Sequence, residues 1–259
     1  MLPTLFVSHG SPMLALRPSP ARDFLAQLGA SIGRPKAILI ASAHWETERP
    51  AVNRVAVNDT IHDFYGFPPA LHAMRYPAPG APELADRVLG LLRTSGLPGE
   101  ADATRGLDHG AWVPLLLMYP QHDVPVVQLS LQPWLGPEHQ LLLGRALAPL
   151  RTEDVLVIGS GAFTHNLRRM RRDEISGPAD PDVAAFAEWM DAALAAGRLD
   201  DLLAYRRKAP HAALQHPTDE HLQPLFVALG AAGADATARR LHASTEYGVL
   251  RMDCFAFGD

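Results

Sequence analysis

Three short apolar runs, each ending in small residues and then a histidine, constrain this chain more than any other feature. Leu5-Phe6-Val7-Ser8 delivers His9, and Ala37-Ile38-Leu39-Ile40-Ala41-Ser42-Ala43 delivers His44. Val155-Leu156-Val157-Ile158 runs into Gly159-Ser160-Gly161 and then His165. Short continuous apolar runs closed by Gly, Ser or Pro read as buried strands. Between the first two, residues 21 to about 32 place Phe24, Leu25 and Leu28 on one helical face, and Gly33 and Pro35 end that helix. Strand, helix, strand is the unit that builds parallel sheets. Open α/β sheets bind ligands beyond the carboxyl ends of their strands. Three parallel neighbours would therefore bring three imidazoles to one edge.

The rest of the chain keeps the same rhythm. Helices are expected over 82–92 (Leu84, Val88, Leu91 inward), 136–150 and 181–194 (Val183, Phe186, Met190, Leu194), with a short one over 199–206. Strands are expected over 124–131 and 248–255, and Arg54 to Asn58 reads as a short hairpin partner. Residues 111–118 leave helix and strand both open. Thr218 can cap a helix whose acidic first turn holds Asp219, Glu220 and His221, although Pro224 argues for a later start. The expected fold is α/β: a three-layer, single domain over residues 1–259, its mostly parallel or mixed central sheet covered by helices on both faces.

Several function classes drop out. One cysteine, Cys254, leaves no internal disulfide and no CxxC zinc module. A net charge of −5 lacks the basic footprint of a nucleic-acid binder. The longest apolar run, Ala111 to Tyr119, is half a membrane span, and the N-terminus lacks the charged and apolar regions of a signal peptide, so a soluble cytoplasmic protein is expected. Oligomeric state leaves no mark. Gly159-Ser160-Gly161 has neither the spacing of a nucleophile elbow nor the third glycine of a dinucleotide fingerprint, and no phosphate-loop motif occurs. The basic run Arg168 to Arg172 reads as a solvated helix face, with attraction of a carboxylate-bearing substrate as the alternative.

The histidines remain. His9, His44 and His165 sit among small residues that leave room for a metal or substrate, and imidazole with oxygen donors suits zinc, iron, copper or nickel. The aromatic loop Ile61 to Pro68 is too apolar for plain solvent and is expected to line a pocket.

Six blocks then occur in order: Ser8-His9-Gly10-Ser11-Pro12, Ser42-Ala43-His44-Trp45, Ile61-His62-Asp63-Phe64-Tyr65-Gly66-Phe67-Pro68, Asp108-His109-Gly110-Ala111-Trp112, Thr164-His165-Asn166-Leu167 and His216-Pro217-Thr218-Asp219-Glu220-His221. Together they resemble the DOPA-dioxygenase type of extradiol ring-cleaving enzyme, in the LigB-like class III superfamily. The resemblance covers nearly the whole chain. It implies a non-haem Fe(II) enzyme that opens a catechol ring beside its two hydroxyls with O₂. Carried over by motif, His9, His44 and His221 are the implied metal ligands. His165 is the implied acid/base histidine, close enough to be a fourth ligand, and His109 a catalytic or substrate-contacting residue. His62, Tyr65 and His216 are implied substrate-pocket residues. The usual iron site has two histidines and a carboxylate, which Glu46 or Glu220 could supply; three imidazoles also describe a Zn(II) site. A zinc hydrolase and a non-enzymatic interaction protein on the same scaffold stay open.

Overall fold

The computed structural model describes residues 1–234 and 236–258. Ten strands are present among them: β1 (Thr4–Ser8), β2 (Ala37–Glu46), β3 (Ala51–Asn53), β4 (Glu100–Asp102), β5 (Val126–Leu131), β6 (Val155–Gly161), β7 (Ala238–His242), β8 (Thr245–Glu246), β9 (Leu250–Arg251) and β10 (Cys254–Phe257). Eight form one mixed sheet in the order β4-β3-β5-β2-β6-β1-β10-β7, while β8 and β9 pair separately. The central four, β5-β2-β6-β1, are parallel, and β1 meets β10 antiparallel with Thr4 opposite Phe257. The strands carrying His9 and His44 thus flank β6.

Alternating side chains divide the two faces. Leu5, Val7, Ile38, Ile40, Leu156 and Ile158 pack against the helices Pro20–Ile32 and His109–Met118. On the other face Leu39, Val127, Leu129 and Val157 pack against Pro82–Thr94 and Gly136–Leu147, and Phe6 and Phe255 against Pro181–Ala195 and Gln223–Ala232. This is the expected three-layer, single-domain α/β architecture. No helix among the described residues is long and apolar enough to cross a membrane.

Four local expectations are corrected. The strand near residue 54 is Ala51–Asn53, one step earlier than the hairpin read at Arg54 to Asn58. The stretch 199–206 splits into Leu199–Leu203 and Tyr205–Lys208. Residues 248–255 are two strands, because buried Asp253 turns the chain by binding Arg251 (2.8 Å) and taking the Ser8 hydroxyl on its carbonyl (2.8 Å). The helix expected at Thr218 begins at Gln223, with Pro224 in its first turn, where a missing N–H costs nothing. His221 therefore stands on the turn before that helix.

Residues 111–118, left open by the sequence, are helical. Asp108 caps the helix, accepting from the Ala111 N–H at 3.2 Å. Pro114 lies inside it and cannot donate to the Gly110 carbonyl one turn back. That carbonyl matters below.

Candidate metal centre

The carboxyl ends of β1 and β2 and the turn before Gln223 bring His9, His44 and His221 together. His44 Nε2 lies 3.1 Å from His9 Nε2 and 3.2 Å from His221 Nε2, and the three form a group with metal-binding geometry. Two nitrogens held at roughly 2.0–2.1 Å from one ion stand roughly 2.8–3.4 Å apart, from right-angled to tetrahedral arrangement. The spacing fits a common ion.

The hydrogen bonds behind these rings fix which nitrogen faces inward. Ser160 Oγ donates to the free Gly110 carbonyl at 2.5 Å. Having spent its proton there, the Ser160 oxygen accepts from His9 Nδ1–H at 3.0 Å, so His9 Nε2 carries a lone pair. His221 Nδ1–H donates to Glu220 at 2.8 Å, with the same result for its Nε2. Asp63 stands 3.6 Å from His44 Nδ1 and favours a proton on that side. Three lone pairs then converge on one point, which is repulsive unless a cation sits among them. Burial, followed by the charge of neighbouring histidines, pushes His9 and His221 well below their ordinary pKa. Burial and His109 push His44 to about 3, against a smaller upward pull from Asp63. Neutral imidazole is the metal-binding form.

His44 is further anchored through Ser42. Ser42 Oγ donates to Asp108 at 2.6 Å and receives the His44 N–H at 3.2 Å. Buried Asp108 also binds Arg105 (2.9 Å) and the Gln128 amide, and Arg105 lies 5.0 Å over the Trp45 ring.

His109 and His165 line the cavity above this cluster, with Met13, His44, Asp63, Phe67 and Leu250 among its other walls; the volume is about 830 Å³. His109 donates from its backbone N–H (2.9 Å) and from Nδ1 (3.0 Å) to Asp63. Burial opposes ionisation of Asp63, yet the His109 hydrogen bonds and charge hold it down at about 2. His165 lies flat on His221, ring centroids 3.3 Å apart and planes 14° apart. Burial, then the charges of His216, His44 and His109, lower His165 to about 3. His165 is not part of the His9–His44–His221 donor group.

Tyr65 stands at the cavity rim, 91% exposed. The other two residues assigned to the pocket lie outside it. His62 donates from Nε2 to the Met74 carbonyl at 3.0 Å and packs on Phe64 and Trp112. His216 is fully buried behind the site, donates to the Phe163 carbonyl at 3.0 Å, and is pushed down to about 4 by burial. It braces the loop that carries His165, whose N–H reaches the Gln215 carbonyl at 2.9 Å. Neither carboxylate offered as a ligand joins the three-histidine group: Glu46 is exposed, and Glu220 supports His221. The sequence reading passed over Asp63 and Ser160. Asp63 lies in the aromatic block Ile61 to Pro68, directly after His62.

Three histidines at the carboxyl edge of a parallel sheet, with two more imidazoles over a deep cavity, form a candidate metal centre on an α/β scaffold, and comparison with known proteins gives it a family. The chain belongs to the LigB family, described as the catalytic LigB subunit of aromatic ring-opening dioxygenase, which matches residues 3–252. It is an extradiol ring-opening dioxygenase by class, which sets aside the hydrolase and interaction-protein readings. The 4,5-DOPA dioxygenase extradiol of Beta vulgaris is 48% identical over 258 residues, covering 98% of this chain and 96% of that protein. The protein of the same description from Escherichia coli K12 is 39% identical over 233 residues, 89% and 85% of the two chains. The crystal structure of an uncharacterized protein from Escherichia coli K12 superposes with a TM-score of 0.82 at 32% identity over 100% of both chains.

Proposed function

We propose that the chain opens the ring of a catecholic, DOPA-like substrate with O₂, using a metal ion held by His9, His44 and His221. The observation that carries this is the convergence of three Nε2 atoms, two with a fixed inward lone pair, at the base of a cavity large enough for a substituted ring. Fe(II), when bound there, supplies the one-electron chemistry that O₂ needs and that Zn(II) lacks.

The chain's own groups do the rest. His165, neutral at pH 7, is free to take a catechol hydroxyl proton on its imidazole and to return it later. His109, oriented by Asp63, presents its other nitrogen to the cavity. Phe67, Leu167, Met170 and Leu250 keep the ring among apolar walls and limit water. The names of the relatives support a DOPA-like substrate.

The test is metal exchange. Protein stripped of metal and reloaded with Fe(II) under nitrogen is expected to consume one O₂ per catechol when air is admitted and to form a coloured ring-opened semialdehyde. Zn(II)-loaded protein is expected to bind the catechol without consuming O₂. Absence of Fe(II)-dependent O₂ uptake across a catechol panel would overturn the proposal.

A further inference from the structure

His44 has two ring nitrogens, and the three-histidine group uses one of them. Its Nε2 turns to His9 and His221, while its Nδ1 faces Asp63. On that outer side His44, Asp63 and His109 form a second group, whose ligand atoms all lie within 4.8 Å of one another. The carboxylate is fixed in place. Asp63 Oδ1 accepts the His109 backbone N–H at 2.9 Å, which leaves Oδ2 between the two rings. Oδ2 stands 3.0 Å from His109 Nδ1 and 3.6 Å from His44 Nδ1, and the ring centroids are 3.9 Å apart.

This group differs in kind from the first. It has two imidazoles and one carboxylate, a donor set that suits first-row divalent ions. Asp63 supplies the negative charge that three neutral imidazoles lack. The donors of one such ion stand roughly 2.8–3.4 Å apart. The 3.0 Å spacing falls in that range, and the 3.6 Å spacing needs only a small closing movement of Asp63. All three residues line the cavity, so an ion can enter from solvent and keep water on its remaining positions.

We infer that His44 Nδ1, Asp63 and His109 form a second, weaker site for a divalent cation such as Zn(II) or Cu(II), which shares the His44 ring with the first site. It rests on the three-histidine reading in one respect, that the first ion is held on His44 Nε2. An ion at the second site replaces the proton on His44 Nδ1 and the one between His109 Nδ1 and Asp63, and both protons leave to solvent. Removing a second proton from a ring already bound to one ion is costly. That cost makes the second site the weaker of the two.

The test counts ions on the full chain. Stripped protein is dialysed to equilibrium against rising Zn(II), and bound zinc is measured by atomic absorption. Wild type is expected to take one ion tightly and a second more weakly. Asp63→Asn keeps the shape of the side chain and removes its charge, and it is expected to keep the first ion and lose the second. Ser160→Ala, which acts behind His9, is expected to weaken the first event and still bind two. Cu(II) gives a readout that needs no variant. Two Cu(II) ions on one imidazole ring couple magnetically, so the electron paramagnetic resonance signal should rise over the first equivalent and fall over the second. A second ion on an exposed histidine such as His211 would instead add its signal to the first. Saturation of wild type at one Zn(II), two ions in Asp63→Asn, or additive Cu(II) signals would overturn the inference. Saturation at one ion leaves the three-histidine site and the ring-opening reading intact, so the readings fail separately.

Discussion

Ser160 donates its hydroxyl proton to the Gly110 carbonyl at 2.5 Å, and that carbonyl is available because Pro114, one turn on, has no N–H to give it. A helix defect thereby sets the tautomer of His9, through the 3.0 Å bond from His9 Nδ1–H to Ser160. Ser160→Ala removes the acceptor of His9 Nδ1–H and also leaves the Gly110 carbonyl without its donor. Loss of an outer partner of a metal-binding histidine typically costs 10–100-fold in affinity. Titration of stripped protein with Zn(II) against a competing chelator is expected to show a loss of that order, with far-UV circular dichroism unchanged.

His165 lies face to face with His221 and outside the three-nitrogen group. His165→Ala is expected to keep its metal and bind catechol while turnover falls by about 10²–10⁴, the usual contribution of a general acid/base. An unchanged rate would remove His165 from proton transfer. Metal loss in the purified variant would make it a ligand.

Gly161 is small for a reason other than room for substrate. A Cβ there would meet the His221 carbonyl at 2.0 Å, and backbone cannot swing aside. Gly161→Ala is expected to push the His221 turn away from β6, lowering metal content while the rest of the sheet persists. Metal analysis paired with thermal unfolding measures both parts.

Glu246 is buried, and its Oε1 has no partner among the described residues. Burial raises its carboxyl above the ordinary 4.5, against a smaller pull from the Ser19 hydroxyl. A raised folded-state pKa gives stability that is full below the unfolded value and is lost as pH rises through the folded one. Glu246→Gln is expected to raise Tm at pH 8 relative to wild type and to flatten the dependence of Tm between pH 4 and pH 8. An equal Tm difference at both pH values would contradict this.

Legibility in the sequence followed the kind of physics involved. The strands that carry His9 and His44 were plain, because an apolar run ending in Gly or Ser is a local signal; that β6 lies between them was not, because that placement joins strands far apart in sequence. Residues 111–118 were not plain: the helix is buried all round, so it has no polar face from which to read a period. His221 was assigned by motif alone, since nothing local aims it at a strand end on the far side of the chain. The pocket roles read for His62 and His216 went astray because both rings are satisfied by backbone carbonyls, a contact that composition does not reveal. Asp63 and Ser160 act on histidines far away in sequence, so no local pattern could have marked them.

The pairing of β1 with β10 also has a consequence for how the protein is made. Two strands far apart in sequence are neighbours here, Thr4 facing Phe257. β1 keeps one edge bare until β10 has been made, and such distant pairings are slow to form. His9 is translated well before His221. Until His221 is made, the chain holds at most two of the three histidines proposed to take the ion, so the site waits on a donor more than 170 residues beyond His44.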